Sequence, residues 1–171
     1  KLVKITPKGL DKAFLSNSGA ESVECAIKLA RKYTGKPEII ALMGAYHGKT
    51  MGALSATWDK KYREPFMPLV PEIKHVAPDN AEKIREAITD KTAAVLMEPI
   101  RGEGGVRVPP DGYLQAVREI CDEKDVLLIF DEVQTSFGRT GKLFGCQNWG
   151  VTPDVMCMAK PFAGGLPIGI T

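Results

Sequence analysis

The sequence predicts an α/β fold of three layers, in which a mostly parallel sheet is covered by helices on both faces. Four short apolar runs do not alternate with polar residues, which is typical of strands buried on both faces. They span residues 39–43, 93–97, 126–130 and 155–158. Helical patterns lie between these runs, and such alternation implies right-handed crossover connections. The 171 residues, 44% of them hydrophobic, suffice for one globular domain with a buried core.

Three segments have the spacing of amphipathic helices. The first, over residues 18–33, opens with Ser18-x-x-Glu21, a capping-box spacing, and continues with an apolar stripe. A second helix begins after Asn80, and a third covers residues 111–124 with one apolar face. The proline-rich stretch at residues 65–71 is expected to form a surface loop.

Composition argues against several classes of partner. The chain has 23 basic and 21 acidic residues, and this net charge of +2 is far from the basic excess of nucleic-acid-binding domains. Its apolar runs are only as long as a strand, so neither a membrane span nor a targeting signal is expected. The four cysteines form no CxxC pair and only two histidines are present, which disfavours a metal site and a disulfide scaffold. Free, buried thiols in a cytoplasmic protein are the expectation.

The residues that follow the four apolar runs predict one shared site. Ligands of open α/β sheets bind at the carboxyl ends of the strands. Here those ends lead into residues 44–50, 98–105, 131–134 and 159–160, which are rich in glycine and in polar and charged side chains. We therefore expect these four segments to converge.

One interpretation of this site is a P-loop ATPase. Residues 44–50 resemble a Walker A loop, and residues 126–132 resemble a Walker B strand. A Walker A loop needs four residues between its first glycine and the Gly-Lys pair, whereas only three separate Gly44 from Gly48. The interpretation also leaves Lys160 and Glu98 unexplained, so it is kept only as a remote alternative.

The other interpretation is a pyridoxal 5′-phosphate enzyme. That cofactor needs a lysine amine, a carboxylate beside its pyridine nitrogen and an anion site for its phosphate. The capped helix that follows Ser18 offers free N–H groups and the positive end of its dipole to a phosphate. Asp131, at the end of a buried strand, needs a cationic partner, and a protonated pyridine nitrogen would supply one. Lys160, at another strand end, is the candidate amine.

Four segments of the sequence resemble class III aminotransferases. They are residues 17–31, 98–105, 129–141 and 153–169, and they occur in the order found in that family. The resemblance implies a fold type I transferase of the acetylornithine, ornithine, 4-aminobutyrate and putrescine aminotransferase group. It also implies that residues 1–171 are a partial large domain that binds pyridoxal phosphate, without the N-terminal segment and the C-terminal small domain. A homodimer or higher oligomer is the expected assembly, and the isolated chain is expected to be inactive.

The resemblance also assigns roles at the cofactor. It implies that Lys160 carries the cofactor covalently, that Asp131 pairs with the pyridine nitrogen and that Gln134 approaches the phenolic oxygen. Backbone N–H groups at the start of the first helix would hold the phosphate, and Tyr46 would stack on the ring. The residues implied at the cofactor are thus Ser18, Gly19, Ala20, Tyr46, Asp131, Gln134 and Lys160. His47 is expected to have only a structural role.

Three charged residues are candidates for the substrate side of the site: Lys49, Glu98 and Glu103. By themselves the two glutamates resemble solvated loop charges, whereas similar enzymes pair the second one with an arginine. Acetylornithine and 4-aminobutyrate enzymes commonly have arginine at position 49, where its planar fork can hold a carboxylate. Lysine suits that task less well. The sequence therefore favours a putrescine-like diamine or other terminal amine as donor and 2-oxoglutarate as acceptor. Acetylornithine, ornithine and 4-aminobutyrate remain alternative donors, and a non-catalytic fragment remains an alternative altogether.

Overall fold

A five-stranded parallel sheet forms the centre of the computed structural model, which describes residues 1–171. Its strand order is β3-β2-β4-β5-β6, and every neighbouring pair is parallel. The elements in chain order are β1 (Leu15–Ser16), α1 (Gly19–Thr34), β2 (Glu38–Leu42), α2 (Met51–Ala56), α3 (Lys60–Arg63), β3 (Ile73–Val76), α4 (Ala81–Ala87), β4 (Thr92–Met97), α5 (Tyr113–Glu123), β5 (Leu127–Asp131), β6 (Val155–Cys157) and β7 (Gly169–Ile170). Strands β1 and β7 form a separate antiparallel pair.

The predicted elements are confirmed. Each of the four predicted strands is within one residue of β2, β4, β5 or β6 at both ends, and α1, α4 and α5 correspond to the three predicted helices. Helices α2 and α3 were not predicted, because segments of six and four residues are too short for a repeated apolar stripe. None of the helices combines the length and the apolar character that crossing a bilayer requires.

Two hydrophobic clusters, one on each face of the sheet, make the three layers. On strand β2, Ile39 and Ala41 belong to the cluster that α1 covers, whereas Ile40 and Leu42 belong to the cluster that α4 and α5 cover. This alternation follows from the period of two in a strand. Because both faces are covered, all five residues of β2 are buried, which explains the uninterrupted apolar run in the sequence.

Helix α1 begins and ends as its sequence predicts. The Ser18 hydroxyl accepts a hydrogen bond from the N–H of Glu21 at 3.2 Å and so caps the first turn. At the other end Gly35, with a φ of 71°, adopts the left-handed conformation that commonly closes a helix.

The thiols are free, as expected, but one is less buried than the sequence suggested. Cys121, Cys146 and Cys157 are buried, whereas Cys25 on α1 is partly exposed. Burial raises the pKa of the Cys121 thiol to about 12, so this side chain stays protonated at neutral pH.

Candidate active site

A cavity of about 440 Å³ lies at the carboxyl edge of the sheet and brings the four predicted segments together. One set of lining residues, which we call the lysine wall, consists of Ser18, Gly19, Ala20, Asp131, Gln134 and Lys160. A second set, which we call the tyrosine wall, follows β2 and β4 and consists of Tyr46, Lys49 and Glu98. Every residue predicted for the site therefore lines this cavity, with the exception of Glu103.

The first turn of α1 forms the base of the lysine wall. Gly19 and Ala20 are its first two residues, where backbone N–H groups have no acceptor within the helix. The turn is packed tightly against the loop after β5, because a Cβ atom on Gly19 would lie only 2.7 Å from a methyl carbon of Val133. A glycine at this position lets the helix terminus approach the loop, and its N–H groups can meet an anion in the cavity.

Lys160 and Gln134 meet in the cavity from two neighbouring strands. Lys160 follows β6 and Gln134 follows β5, and these strands pair in parallel. The ammonium group of Lys160 donates a hydrogen bond to Gln134 Oε1 at 3.2 Å. The lysine side chain is exposed to the cavity, so its amine is accessible to a ligand.

Asp131 is held at the end of β5 by two hydrogen bonds. Its Oδ1 accepts the N–H of Val133 at 3.0 Å, and its Oδ2 lies 2.8 Å from Nδ1 of His47. Asp131 is 4% exposed and His47 is 3% exposed. Because an ionised carboxylate can only accept, Nδ1 of His47 carries the shared proton.

The contact of His47 with Asp131 was missed in the sequence. The ring of His47 contacts the carboxylate that the sequence singled out. The backbone N–H of His47 donates to the Thr57 hydroxyl at 2.9 Å, and this bond fixes the backbone that carries the ring. The signal that could have found it is its position, since His47 follows the end of β2 as Asp131 ends β5.

Glu98 is a buried side chain and not a solvated loop charge. It is 6% exposed. Its Oε1 accepts the N–H of Tyr46 at 3.0 Å and its Oε2 accepts the N–H of Gly102 at 2.9 Å. Burial is the main cause that raises the pKa of the Glu98 carboxyl; the nearby Asp131 charge acts in the same direction and His47 opposes it.

The outer part of the tyrosine wall is aromatic. The rings of Tyr46 and Tyr62 meet edge to face with their centroids 5.6 Å apart, and the ammonium of Lys49 lies 5.6 Å from the Tyr62 centroid. Burial raises the pKa of the Tyr46 hydroxyl, with smaller contributions from Tyr62 and Glu103. Glu103 is exposed and lines an adjoining cleft of about 400 Å³ that shares Tyr46 with the cavity.

Glu132 is a second residue that sequence reasoning left without a role of its own. Its side chain is fully buried. One oxygen accepts the N–H of Cys146 at 2.7 Å, and the other accepts the N–H of Gly145 at 2.7 Å and the hydroxyl of Thr135 at 2.6 Å. It therefore anchors the loop that begins with Gln134. In the sequence, the only signal for the burial of Glu132 is its position directly after a buried strand.

The geometry argues against a phosphate-binding P-loop at residues 44–50. Such a loop turns successive backbone N–H groups toward a phosphate. Here the N–H of Ala45 donates to the Leu42 carbonyl, that of Tyr46 to Glu98 and that of His47 to Thr57. These three N–H groups are therefore not free to bind a nucleotide phosphate.

Comparison with known proteins agrees with the pyridoxal phosphate interpretation. The family model described as aminotransferase class-III matches residues 1–171. An acetylornithine aminotransferase from Methanopyrus kandleri is 55% identical over 99% of this chain and 44% of its own length. A putrescine aminotransferase from Pectobacterium atrosepticum is 52% identical over 99% of this chain and 38% of its own length.

A solved structure agrees as well. The ornithine aminotransferase of Toxoplasma gondii, described with partial occupancy of pyridoxal phosphate at its active site, superimposes with a TM-score of 0.93 and 36% identity. The match covers 99% of this chain and 42% of that one. The present chain therefore spans less than half the length of the proteins it matches.

Proposed function

The chain belongs to the class III aminotransferase family, and on this premise we propose that it forms the cofactor-binding part of an enzyme that transfers an amino group from a terminal amine to a 2-oxo acid. The observation that carries the proposal is the convergence of Lys160, Asp131 and the first turn of α1 in one cavity. The activity is proposed for the intact protein, and the 171-residue chain alone is expected to have no transaminase activity.

The residues of the cavity fit pyridoxal 5′-phosphate. An amine, an anionic carboxylate and a helix N-terminus are the three groups that its aldehyde, its ring nitrogen and its phosphate require. Lys160 would bind the aldehyde carbon, Asp131 the ring nitrogen, and the N–H groups of Gly19 and Ala20 the phosphate. When bound, the cofactor supplies an electron-withdrawing ring that stabilises negative charge on the substrate carbon next to the nitrogen.

The remaining steps belong to side chains of this chain. Lys160 would take a proton from the substrate carbon at its Nζ and return it, because this amine is exposed to the cavity. Asp131 would pair with the ring nitrogen, and its hydrogen bonds with His47 and the Val133 N–H hold the carboxylate in place. Gln134 orients Lys160 through the 3.2 Å hydrogen bond, and Tyr46 lines the same cavity.

Lysine at position 49 supports a diamine or another terminal amine as the donor, with 2-oxoglutarate as the acceptor. The Lys49 ammonium lies over the Tyr62 ring and offers no bidentate fork for a carboxylate. The second candidate is N-acetylornithine, which the 55% identical relative favours through its name. A panel of putrescine, cadaverine, 4-aminobutyrate, ornithine and N-acetylornithine against 2-oxoglutarate separates the two. We expect a diamine to have the highest kcat/KM.

We also propose a dimer or higher oligomer in the cytoplasm. Four free thiols support a reducing compartment. Val106 and Val108 line a neighbouring cleft that shares Gln134 with the cavity. They are 72% and 62% exposed, which supports a covering partner subunit. Sedimentation of the intact protein tests the assembly, and a monodisperse, active monomer would contradict it.

Borohydride trapping tests the proposed chemistry. The intact protein with pyridoxal phosphate is reduced, digested and analysed by mass spectrometry, and the cofactor is expected on Lys160. Lys160→Ala should abolish both trapping and transamination, since Lys49, the other lysine that lines the cavity, has its ammonium over the Tyr62 ring. Trapping on a different lysine, or nucleotide hydrolysis without trapping, would overturn the proposal.

A further inference from the structure

We infer that Glu98 is a positioning residue that ties together the two loops of the substrate side, and that it does not act by contacting the amine donor. This inference rests on the proposed function and deepens it. It concerns how the site keeps Tyr46 and the loop of Glu103 in a fixed relation to each other. Similarity to the family assigned Glu98 to the substrate side without saying how it acts.

The two loops meet because their strands are neighbours. Strands β2 and β4 pair in parallel, so residues 44–50 and residues 98–105 leave the same edge of the sheet side by side. Gly104 packs directly against the backbone carbonyl of Gly44. Neither loop contains a helix or strand that would fix its position by itself before α2.

Glu98 supplies the link on the inner side of this pair. Each of its two oxygens accepts an N–H from one loop: Oε1 from Tyr46 at 3.0 Å and Oε2 from Gly102 at 2.9 Å. A carboxylate that accepts from two backbone segments fixes both of them, and hydrogen bonds to a charged acceptor are stronger than neutral ones. No cation forms an ion pair with Glu98, so these N–H groups are its direct hydrogen-bond partners.

The link extends to the lysine wall. A Cβ atom on Gly102 would lie 2.5 Å from Gln134 Oε1, the same atom that accepts from Lys160. The loop that Glu98 holds therefore rests on the residue that orients the candidate amine. Arg101 adds a tie on the outer side, since it pairs with Asp79 at 2.6 Å and reaches the Met43 carbonyl at 3.4 Å.

The test is Glu98→Gln in the intact protein loaded with pyridoxal phosphate. Glutamine has nearly the same shape but only one oxygen, so it can accept only one of the two N–H groups. Amide hydrogen exchange at Tyr46 and Gly102 should become about tenfold faster or more, because a hydrogen bond to a charged group is lost. Glu38→Gln is the matched control, since Glu38 is also a buried glutamate but begins β2, at the end of that strand away from the cavity. Apart from any change in global stability, this variant should leave amide exchange at Tyr46 and Gly102 as it is in the wild type.

Donor profiles distinguish positioning from contact. If Glu98 positions the loops, Glu98→Gln should lower kcat/KM by a similar factor for putrescine, butylamine and 4-aminobutyrate, mainly through KM. Cofactor affinity should stay within about twofold. A loss confined to putrescine, with unchanged exchange, would show that Glu98 contacts the distal ammonium and would overturn the inference. So would unchanged exchange together with unchanged rates.

The inference can still be tested if the wild-type protein is inactive or if the E98Q protein does not fold. If the wild-type protein transaminates no amine, the proposed function fails, while the exchange measurement still decides whether Glu98 ties the loops. If the E98Q protein does not fold, Glu98→Asp tests the same link, because it keeps the charge but is too short to reach both N–H groups. Its exchange at one or both amides should then rise, and protection at both sites equal to that of the wild type would overturn the inference.

Discussion

The two walls of the cavity are held in place by different means. The lysine wall is built at the ends of regular elements: the first turn of α1, the last residue of β5, and Lys160 shortly after β6. The tyrosine wall is carried by loops, whose backbone N–H groups donate buried hydrogen bonds to Glu98 and Thr57. Asp131 and Glu98, the buried carboxylates of the two walls, show the contrast: one contacts a histidine ring, the other only backbone N–H groups.

This difference suggests a division of labour. Groups fixed by a sheet and a long helix keep a constant geometry, as the cofactor chemistry shared by a whole family requires. Groups on loops can be altered with little effect on the core. Donor preference can therefore vary between related enzymes through changes in such loops. Changes to the lysine wall should therefore affect the cofactor and the rate for every donor. Changes to the tyrosine wall should affect loop order and donor preference.

Asp131→Asn tests the lysine wall with the largest expected effect. Asparagine keeps the shape and can still accept the Val133 N–H, but it lacks the charge that keeps the ring nitrogen protonated. Cofactor should remain bound while turnover falls by several powers of ten for every donor. Single-turnover rates and equilibrium cofactor binding measure the two quantities separately. Near-normal turnover would mean that Asp131 has only a structural role.

Gly19→Ala tests whether the position of the α1 terminus sets cofactor affinity. The added methyl group would lie 2.7 and 2.9 Å from the two methyl carbons of Val133, so the first turn or the valine must move. Overpacking of this kind costs about 1–3 kcal/mol, which corresponds to a loss of about 5- to 160-fold in affinity if the helix terminus moves. Cofactor titration measures it.

Val133→Ala in the same protein is the control for this mechanism. Removing the two methyl groups makes room for the new one, so the double variant should regain most of the affinity. If the double variant binds cofactor as poorly as Gly19→Ala alone, the loss does not come from packing against Val133.

Much of the lysine wall could be predicted because its signals are local in the sequence. A capping spacing marks Ser18, and buried apolar runs mark the strands that lead to Asp131 and Lys160. The sheet then brings these ends together by a general rule of parallel α/β folds. Family resemblance added the roles of individual residues, which spacing alone does not supply.

The tyrosine wall was less predictable because its contacts join residues far apart in the chain. The bond from the Tyr46 N–H to Glu98 spans 52 positions, and that from His47 to Asp131 spans 84. Glu98 sits in a glycine-rich segment that is typical of exposed loops, and only the pairing of β2 with β4 buries it. Burial of a loop carboxylate depends on which strands are neighbours, and strand order is not visible in composition or periodicity.

The smallest expected effect is the pH dependence of the free energy of unfolding that the buried Glu98 carboxyl causes. Burial, more than any neighbouring charge, raises the pKa of Glu98 above its ordinary value of 4.5, so the folded state binds this proton more tightly than the unfolded state. The stability that Glu98 contributes is therefore complete below pH 4.5 and is lost as pH rises through the higher pKa of the folded state. Glutamine cannot ionise, so the free energy of unfolding of the wild type minus that of Glu98→Gln should fall as pH rises from 4 to 7.

Urea unfolding of both proteins without cofactor, at each pH, measures this difference. Subtraction removes the carboxylates common to both proteins, such as Glu123, whose lowered pKa gives the opposite slope. The Glu38→Gln protein is again the comparison, because the pKa of Glu38 is lowered by Lys74 and Thr92 despite its burial. The wild type minus that variant should rise with pH up to the ordinary carboxyl pKa of 4.5 and then level off, whereas the first difference falls above that pH. A wild-type minus Glu98→Gln difference that does not change with pH would mean that the Glu98 carboxyl is as well solvated as an ordinary surface group. The distinction between the walls would then rest on their chain connections alone.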